Sequence, residues 1–169
     1  MKKIITTLQE ALAYQLNGLV YAETKVRDEF EICSQQITSP ELKAEIKRYV
    51  GNADNKLQKL ERIFNYLMQE PGPRKNEVIA RMIAETHHLL GLTTSGHLRD
   101  ILMVGCIQNI NAYKIATYKT AYLYTLELEL DTAADLAQQI LEWELETSRK
   151  LAALSIHEFN KVNSSEKSN

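Results

Sequence analysis

Apolar residues in this chain recur at spacings that alternate between four and three over long unbroken stretches. The first stripe reads Leu12, Leu16, Leu19, Glu23, Val26, Phe30, Cys33, Ile37. That spacing keeps one face of an α-helix against a partner helix, and no period-two alternation of comparable strength competes with it. The feature that matters most is the exception. Glu23 occupies a slot where every neighbour is apolar. A later stripe reads Val78, Met82, Glu85, Leu89, and the last reads Ala137, Ile140, Glu144, Thr147, Leu151, Leu154. A carboxylate on a core stripe is costly unless something pairs with it. Metal ions are one such partner, and carboxylates gathered inside a helical bundle are how di-metal centres are built.

Punctuation is sparse, with six Gly and three Pro in 169 residues. Thr7 and Glu10 fit a capping box that opens a first helix running to about Gln36. Ser39-Pro40-Glu41 supplies a capping serine, a proline at the first helical position and a dipole-favoured acid. The second helix is expected from there to about Gln69, with Leu42, Ile46, Tyr49, Ala53, Leu60 and Leu67 on one stripe, and Pro71-Gly72-Pro73 ends it. A shorter helix covers about Lys75 to Leu90. Two long ones follow, about His97 to Glu129 and about Asp131 to Asn160, with Asp131 as a cap. Each long helix spans about 45 Å at about 1.5 Å per residue. Short loops make antiparallel pairs of the first two and the last two long helices, and the middle segment is long enough to cross over. This is the connectivity of a ferritin-like bundle: four long antiparallel helices plus one short crossover helix. The chain reads as one domain over residues 1–160, with a polar tail at 161–169 expected to be disordered.

Charge and composition exclude several classes. A net charge of −2 leaves no electrostatic footprint for nucleic acid. No apolar run reaches the roughly 18 residues of a membrane span. Gln9, Glu10, Gln15 and Asn17 interrupt any secretory apolar region. Cys33 and Cys106, each in an apolar helical setting, fit reduced core thiols of a cytoplasmic protein. There is no Gly-rich phosphate loop, nucleophile elbow or zinc-type Cys/His spacing.

The chain resembles the ferritin-like stress-protein family typified by YciE and YciF from about Leu8 to Leu154. The resemblance rests on Tyr21-Ala22-Glu23, Ser39-Pro40-Glu41-Leu42-Lys43, Leu60-Glu61-Arg62-Ile63-Phe64, Leu98-Arg99-Asp100, Ile115-Ala116-Thr117-Tyr118 and Leu151-Ala152-Ala153-Leu154. It implies a helical bundle, usually bacterial, cytoplasmic and a homodimer. It names no small-molecule partner. The departures from the family pattern are as informative. Where the second helix tends to carry a histidine and paired glutamates, this chain has Tyr49, Gly51 and Asn52. Where the fourth tends to carry Glu-His-Tyr-Glu, it has Asn111-Ala112-Tyr113-Lys114. The family acids that survive are Glu23, Glu85 and Glu144.

Each candidate has two readings. Glu23 is a buried, paired carboxylate or a bundle-edge side chain. Glu144 takes a core slot unless Trp143 takes it instead. Glu85 and His88 share a helix face as a Glu-x-x-His pair, or form a solvated surface turn. Lys114 lies on a solvated face, or inside, as the counter-charge that takes a metal's place. The eight tyrosines supply hydrogen bonds and volume to an empty bundle, or a redox-active group beside metals. Glu23, Glu85, His88 and Glu144 are therefore the residual metal candidates, and the three carboxylates are expected to converge. The function read from this set is a non-catalytic, stress-associated structural or binding protein with a degenerate site and no cofactor. The alternative is a di-iron or di-manganese oxidase or peroxide-handling protein with an unusual ligand set.

Overall fold

The computed structural model describes residues 4–94 and 96–166, and these build an all-α, ferritin-like bundle. Helix α1 (Leu8–Ser34) opens on the expected capping box: the Glu10 N–H donates to Thr7 Oγ1 at 3.1 Å and the Thr7 N–H to Glu10 Oε2 at 3.2 Å. Helix α2 (Pro40–Gly51) opens on Ser39, whose Oγ accepts the Leu42 N–H at 3.3 Å. Helices α3 (Ala53–Tyr66), α4 (Glu77–Gly91), α5 (Gly96–Glu127) and α6 (Asp131–Glu166) follow. The α4 cap is Asn76, buried, accepting the Ile79 N–H at 3.2 Å.

The helix boundaries differ from the sequence expectation in three places. The second long helix is divided at Asn52, where Gly51 and Asn52, both weak helix formers, lie side by side. It also stops at Tyr66, because Met68 turns into the left-handed region with φ 52° and the Gln69 N–H bonds back to Phe64 O. At the other end, residues 161–166 are helical rather than a disordered tail. Lys161 reaches Glu41 Oε2 and Glu158 Oε1, both at 3.2 Å, and so fastens the last turns of α6 to the start of α2. Residues 167–169 lie outside the described residues.

Helices α1, α2–α3, α6 and α5 surround the bundle axis in that order, each packed on the next, with α5 and α6 the most extensively apposed pair. Helix α4 crosses over along α5 and α1. The apolar interior has two halves. One gathers Val26, Phe30, Ile46, Tyr49, Ile79, Met103, Ile107 and their neighbours. The other gathers Leu12, Leu16, Leu60, Phe64, Tyr118, Ala137 and Ile140 with theirs. On α1 the two sets meet between Leu19 and Ala22, on α2–α3 between Tyr49 and Leu60, on α5 between Ile110 and Tyr118, and on α6 between Leu141 and Leu151. Each of those intervals, or its immediate border, carries a buried charged residue.

Candidate functional site: a buried charged layer

The charged residues between the two apolar halves are Glu23 of α1, Lys56 of α3, Lys114 of α5 and Glu144 of α6, all 2% exposed or less. Each stands on the apolar stripe of its helix, so the packing that buries the leucines and isoleucines buries these four as well. Lys114 Nζ sits between the carboxylates, 2.8 Å from Glu23 Oε1 and 2.9 Å from Glu144 Oε1. Lys56 Nζ is paired with Glu144 Oε1 and lies 3.7 Å from Glu23 Oε2. Two negative and two positive side chains thus form a neutral quartet drawn from four helices.

Neutral partners complete the layer. Tyr118 donates its hydroxyl to Glu23 Oε1 at 2.7 Å, and Asn111 Nδ2 donates to Glu144 Oε2 at 2.7 Å. The Tyr49 hydroxyl accepts from Lys114 Nζ at 3.0 Å and points its proton at Glu144 Oε2, 3.4 Å away. Both ammonium groups also lie 4.7 Å from the centre of the Tyr49 ring, within cation–π range. Each of the four carboxylate oxygens has two donors within salt-bridge or hydrogen-bond reach, as buried ions require.

The electrostatics follow from this arrangement. Burial alone would raise the Glu144 carboxyl, but the ammoniums of Lys114 and Lys56 override it and hold it down at about 2. Burial likewise works against the Lys114 ammonium, and Glu144, Glu23 and Tyr49 together carry it well above the ordinary lysine value. Lys56 moves the other way. Burial and the nearby Lys114 charge outweigh Glu23 and Glu144 and lower it. Burial, then the surrounding carboxylates, push both Tyr49 and Tyr118 upward, so their phenols stay protonated as donors.

Of the residues singled out in the sequence, Glu23, Lys114 and Glu144 come together. Glu144 holds the core slot and Trp143 is half-buried beside it, with Lys59 Nζ 5.4 Å over its ring. Glu85 and His88 do not join them. The buried face of α4 carries Ile79, Ile83, Thr86 and Leu90, one residue out of phase with the stripe Val78, Met82, Glu85, Leu89. Glu85 therefore faces a surface groove with Arg81 and Asn109, and His88 is exposed. The neighbouring His87 is the one that finds a partner, with Nε2 2.9 Å from Glu29 Oε2. The expectation that three carboxylates converge is corrected to two.

Lys56 was missed. Its signal lies in the second-helix stripe itself: Leu42, Ile46, Tyr49 and Ala53 step by four and three, and the next step of three lands on Lys56 before Leu60 resumes the pattern. A lysine on a core stripe carries the same information as a glutamate there.

Two expected outcomes test the layer. Lys114→Met leaves both carboxylates short of charge and lowers unfolding free energy by about 3–5 kcal/mol, the cost of breaking a buried pair from one side. Replacing all four (Glu23→Leu, Lys56→Leu, Lys114→Met, Glu144→Leu) costs far less than the sum of the four single changes, because no charge is stranded. Urea unfolding of the parent, the four single variants and the fourfold variant checks this, and additive losses would contradict a coupled network. The second outcome concerns acid. The folded Glu144 carboxyl, at about 2, lies below its ordinary value of 4.5. Its contribution is therefore complete above that ordinary value and is lost as pH falls toward 2, a loss on the order of a few kcal/mol. The urea midpoint of the native chain should fall steeply across that window. The fourfold variant should show a shallower fall.

Comparison with known proteins places this geometry in a family. The chain is 31% identical over 80 residues to protein YciF of Escherichia coli (strain K12). That stretch is 47% of this chain and spans only 48% of that protein. Among solved structures, the E. coli stress protein YciF superposes with a TM-score of 0.89 at 20% identity, over 93% of this chain and 99% of that one. YcfI of Rhodopseudomonas palustris superposes with a TM-score of 0.86 at 22% identity, over 90% of this chain and 97% of that one. These likenesses establish the shared bundle. From residue 7 to residue 163 the sequence also matches one family along nearly its whole length, and the chain belongs to that family, described as Domain of unknown function (DUF892), the YciE/YciF type.

Proposed function

We propose that this chain is a non-catalytic bundle protein in which the ion-pair quartet takes the electrostatic place of a di-metal centre, and that it serves a stress-associated structural or binding role. The observation that carries this reading is the position of Lys114 Nζ, 2.8 Å from Glu23 and 2.9 Å from Glu144. Two divalent ions bring about four positive charges, which their ligands must largely offset. Among the described residues two carboxylates are the only anions of the layer, and two ammonium groups already neutralise them. Asn111 offers a neutral amide, a poor ligand for transition metals without anionic help, and its nitrogen is turned toward Glu144. The residues present do not fit a di-iron or di-manganese pair.

Further support comes from the surroundings. The described E. coli relative is a stress protein. No helix among the described residues is long and apolar enough to cross a membrane. Cys33 and Cys106 are unpaired and buried, and burial pushes the Cys33 thiol up to about 11, so both are inert thiols compatible with a cytoplasmic setting.

The experiment is elemental analysis of the purified chain after growth with added iron and manganese. Substoichiometric amounts of both are expected. Two metals per chain would replace this reading with that of a di-iron or di-manganese oxidase or peroxide-handling protein. A double variant, Lys56→His with Lys114→Glu, removes both ammoniums and supplies an imidazole and a third carboxylate. It should bind manganese more tightly than the parent.

The assembly we propose is a symmetric homodimer, the commonest closed arrangement. Light scattering at micromolar concentration should return twice the chain mass, and a monomer mass contradicts it.

A further inference from the structure

A second buried polar cluster lies at the end of the bundle where α2 and α5 begin and α6 finishes. It consists of His97, Asp100 and Glu158. From Glu144 to Glu158, and from Lys114 to Asp100, is a run of 14 residues, about 21 Å along the axis at about 1.5 Å per residue. The cluster is therefore separate from the charged layer.

Two of its members are held in place by neighbours. Asp100 Oδ1 accepts the Thr38 N–H at 2.9 Å, and Oδ2 accepts the Thr38 hydroxyl at 2.5 Å and the Ser39 N–H at 2.8 Å. Ser39 Oγ donates to Glu158 Oε1 at 2.6 Å. Both acids are 1% exposed or less. The remaining polar atoms are what set this cluster apart. Glu158 Oε2 and His97 Nε2 are buried and have no hydrogen-bond partner among the described residues. His97 Nδ1 stands 3.9 Å from Glu158 Oε2, outside hydrogen-bond distance. One ligand atom from each of His97, Asp100 and Glu158 lies within 4.8 Å of the other two. A buried carboxylate oxygen without a donor costs free energy that a native fold rarely leaves unmet.

From this geometry we infer that His97, Asp100 and Glu158 form a site for one divalent cation of the zinc class. The ligand chemistry fits: one imidazole and two carboxylates give the charge to balance a dication and leave a fourth position for water. Ligand atoms around a tetrahedral ion are about 3.4 Å apart, for bonds of about 2.1 Å. The three ligand atoms lie within 4.8 Å of one another, so binding would draw His97, the one ligand that is partly exposed at 34%, and Glu158 Oε2 in toward the ion. Thr38 and Ser39 are the outer partners that orient the two acids. Lys161, 3.2 Å from Glu158 Oε1, touches the oxygen opposite the one offered to the ion and is itself 37% exposed, so it can shift toward water. The ion would tie the N-terminus of α2, the first turn of α5 and the last turns of α6 together.

The test uses the full chain, stripped with chelator and titrated with zinc chloride by calorimetry. One zinc per chain should bind in the micromolar range or tighter. His97→Ala should weaken binding by at least about tenfold. His157→Ala, which removes the histidine of a second grouping made of the exposed Glu41 and His157 with the buried Glu158, and His88→Ala should leave it unchanged. Proton–nitrogen spectra of the parent provide the measurement that does not depend on a variant's folding: zinc should shift the His97 imidazole and leave those of His87, His88 and His157 in place. Absence of binding at micromolar zinc overturns the inference. So does an affinity that survives His97→Ala, or a shifted imidazole other than that of His97. A central di-metal site would instead be read as iron or manganese retained in His97→Ala, so the two proposals fail separately.

Discussion

The bundle depends on electroneutrality inside a region that excludes water. Glu23 and Glu144 are closed off from water, with an apolar cluster on either side of the layer they share. An isolated carboxylate in such a place is prohibitively costly, so the four helices assemble only with compensating charge between them. Lys56 and Lys114 supply it, each on a different helix from either acid. Tyr49, Tyr118 and Asn111 then take up the remaining hydrogen-bonding capacity of the carboxylates. The apolar halves on either side give the layer its low-dielectric surroundings, and those surroundings are what make stranding any one of its charges expensive.

The architecture was legible from the spacing of apolar residues and the few breakers. The capping box at Thr7, the start at Ser39-Pro40, the crossover segment and the two long final helices all stand where the pattern places them. Helix ends were less legible because they depend on tertiary contacts. The last turns of α6 are held by Glu41 and Glu158, which are distant from Lys161 or invisible to a composition argument. The stop after Tyr66 uses a left-handed methionine, where sequence reasoning looks for glycine.

The site was half legible. Glu23 and Glu144 declare themselves because an acid breaks an otherwise apolar stripe. Glu85 misled because α4 is a short helix with apolar residues on more than one face, Val78 and Met82 beside Ile79 and Ile83, so the stripe has two possible phases a residue apart. Packing against α5 and α1 chooses the phase that turns Glu85 outward. Lys56 was hidden by the habit of assigning lysine to solvent. Lys114 drew notice through the resemblance, which marked the position as one that ought to carry an acid.

The division of the interior into two apolar halves also fixes how the helices stand lengthwise. Leucine, isoleucine and valine pack almost as well after a helix slides by one turn, since a heptad stripe nearly repeats itself. A slide of one turn is about 5.4 Å. It would carry Lys114 Nζ out of reach of carboxylates now at 2.8 and 2.9 Å, and would set each ion against hydrocarbon. The quartet is thus a vernier mark on an otherwise repetitive surface: four helices, one from each of which a single charged atom group projects, can be brought level in one way only.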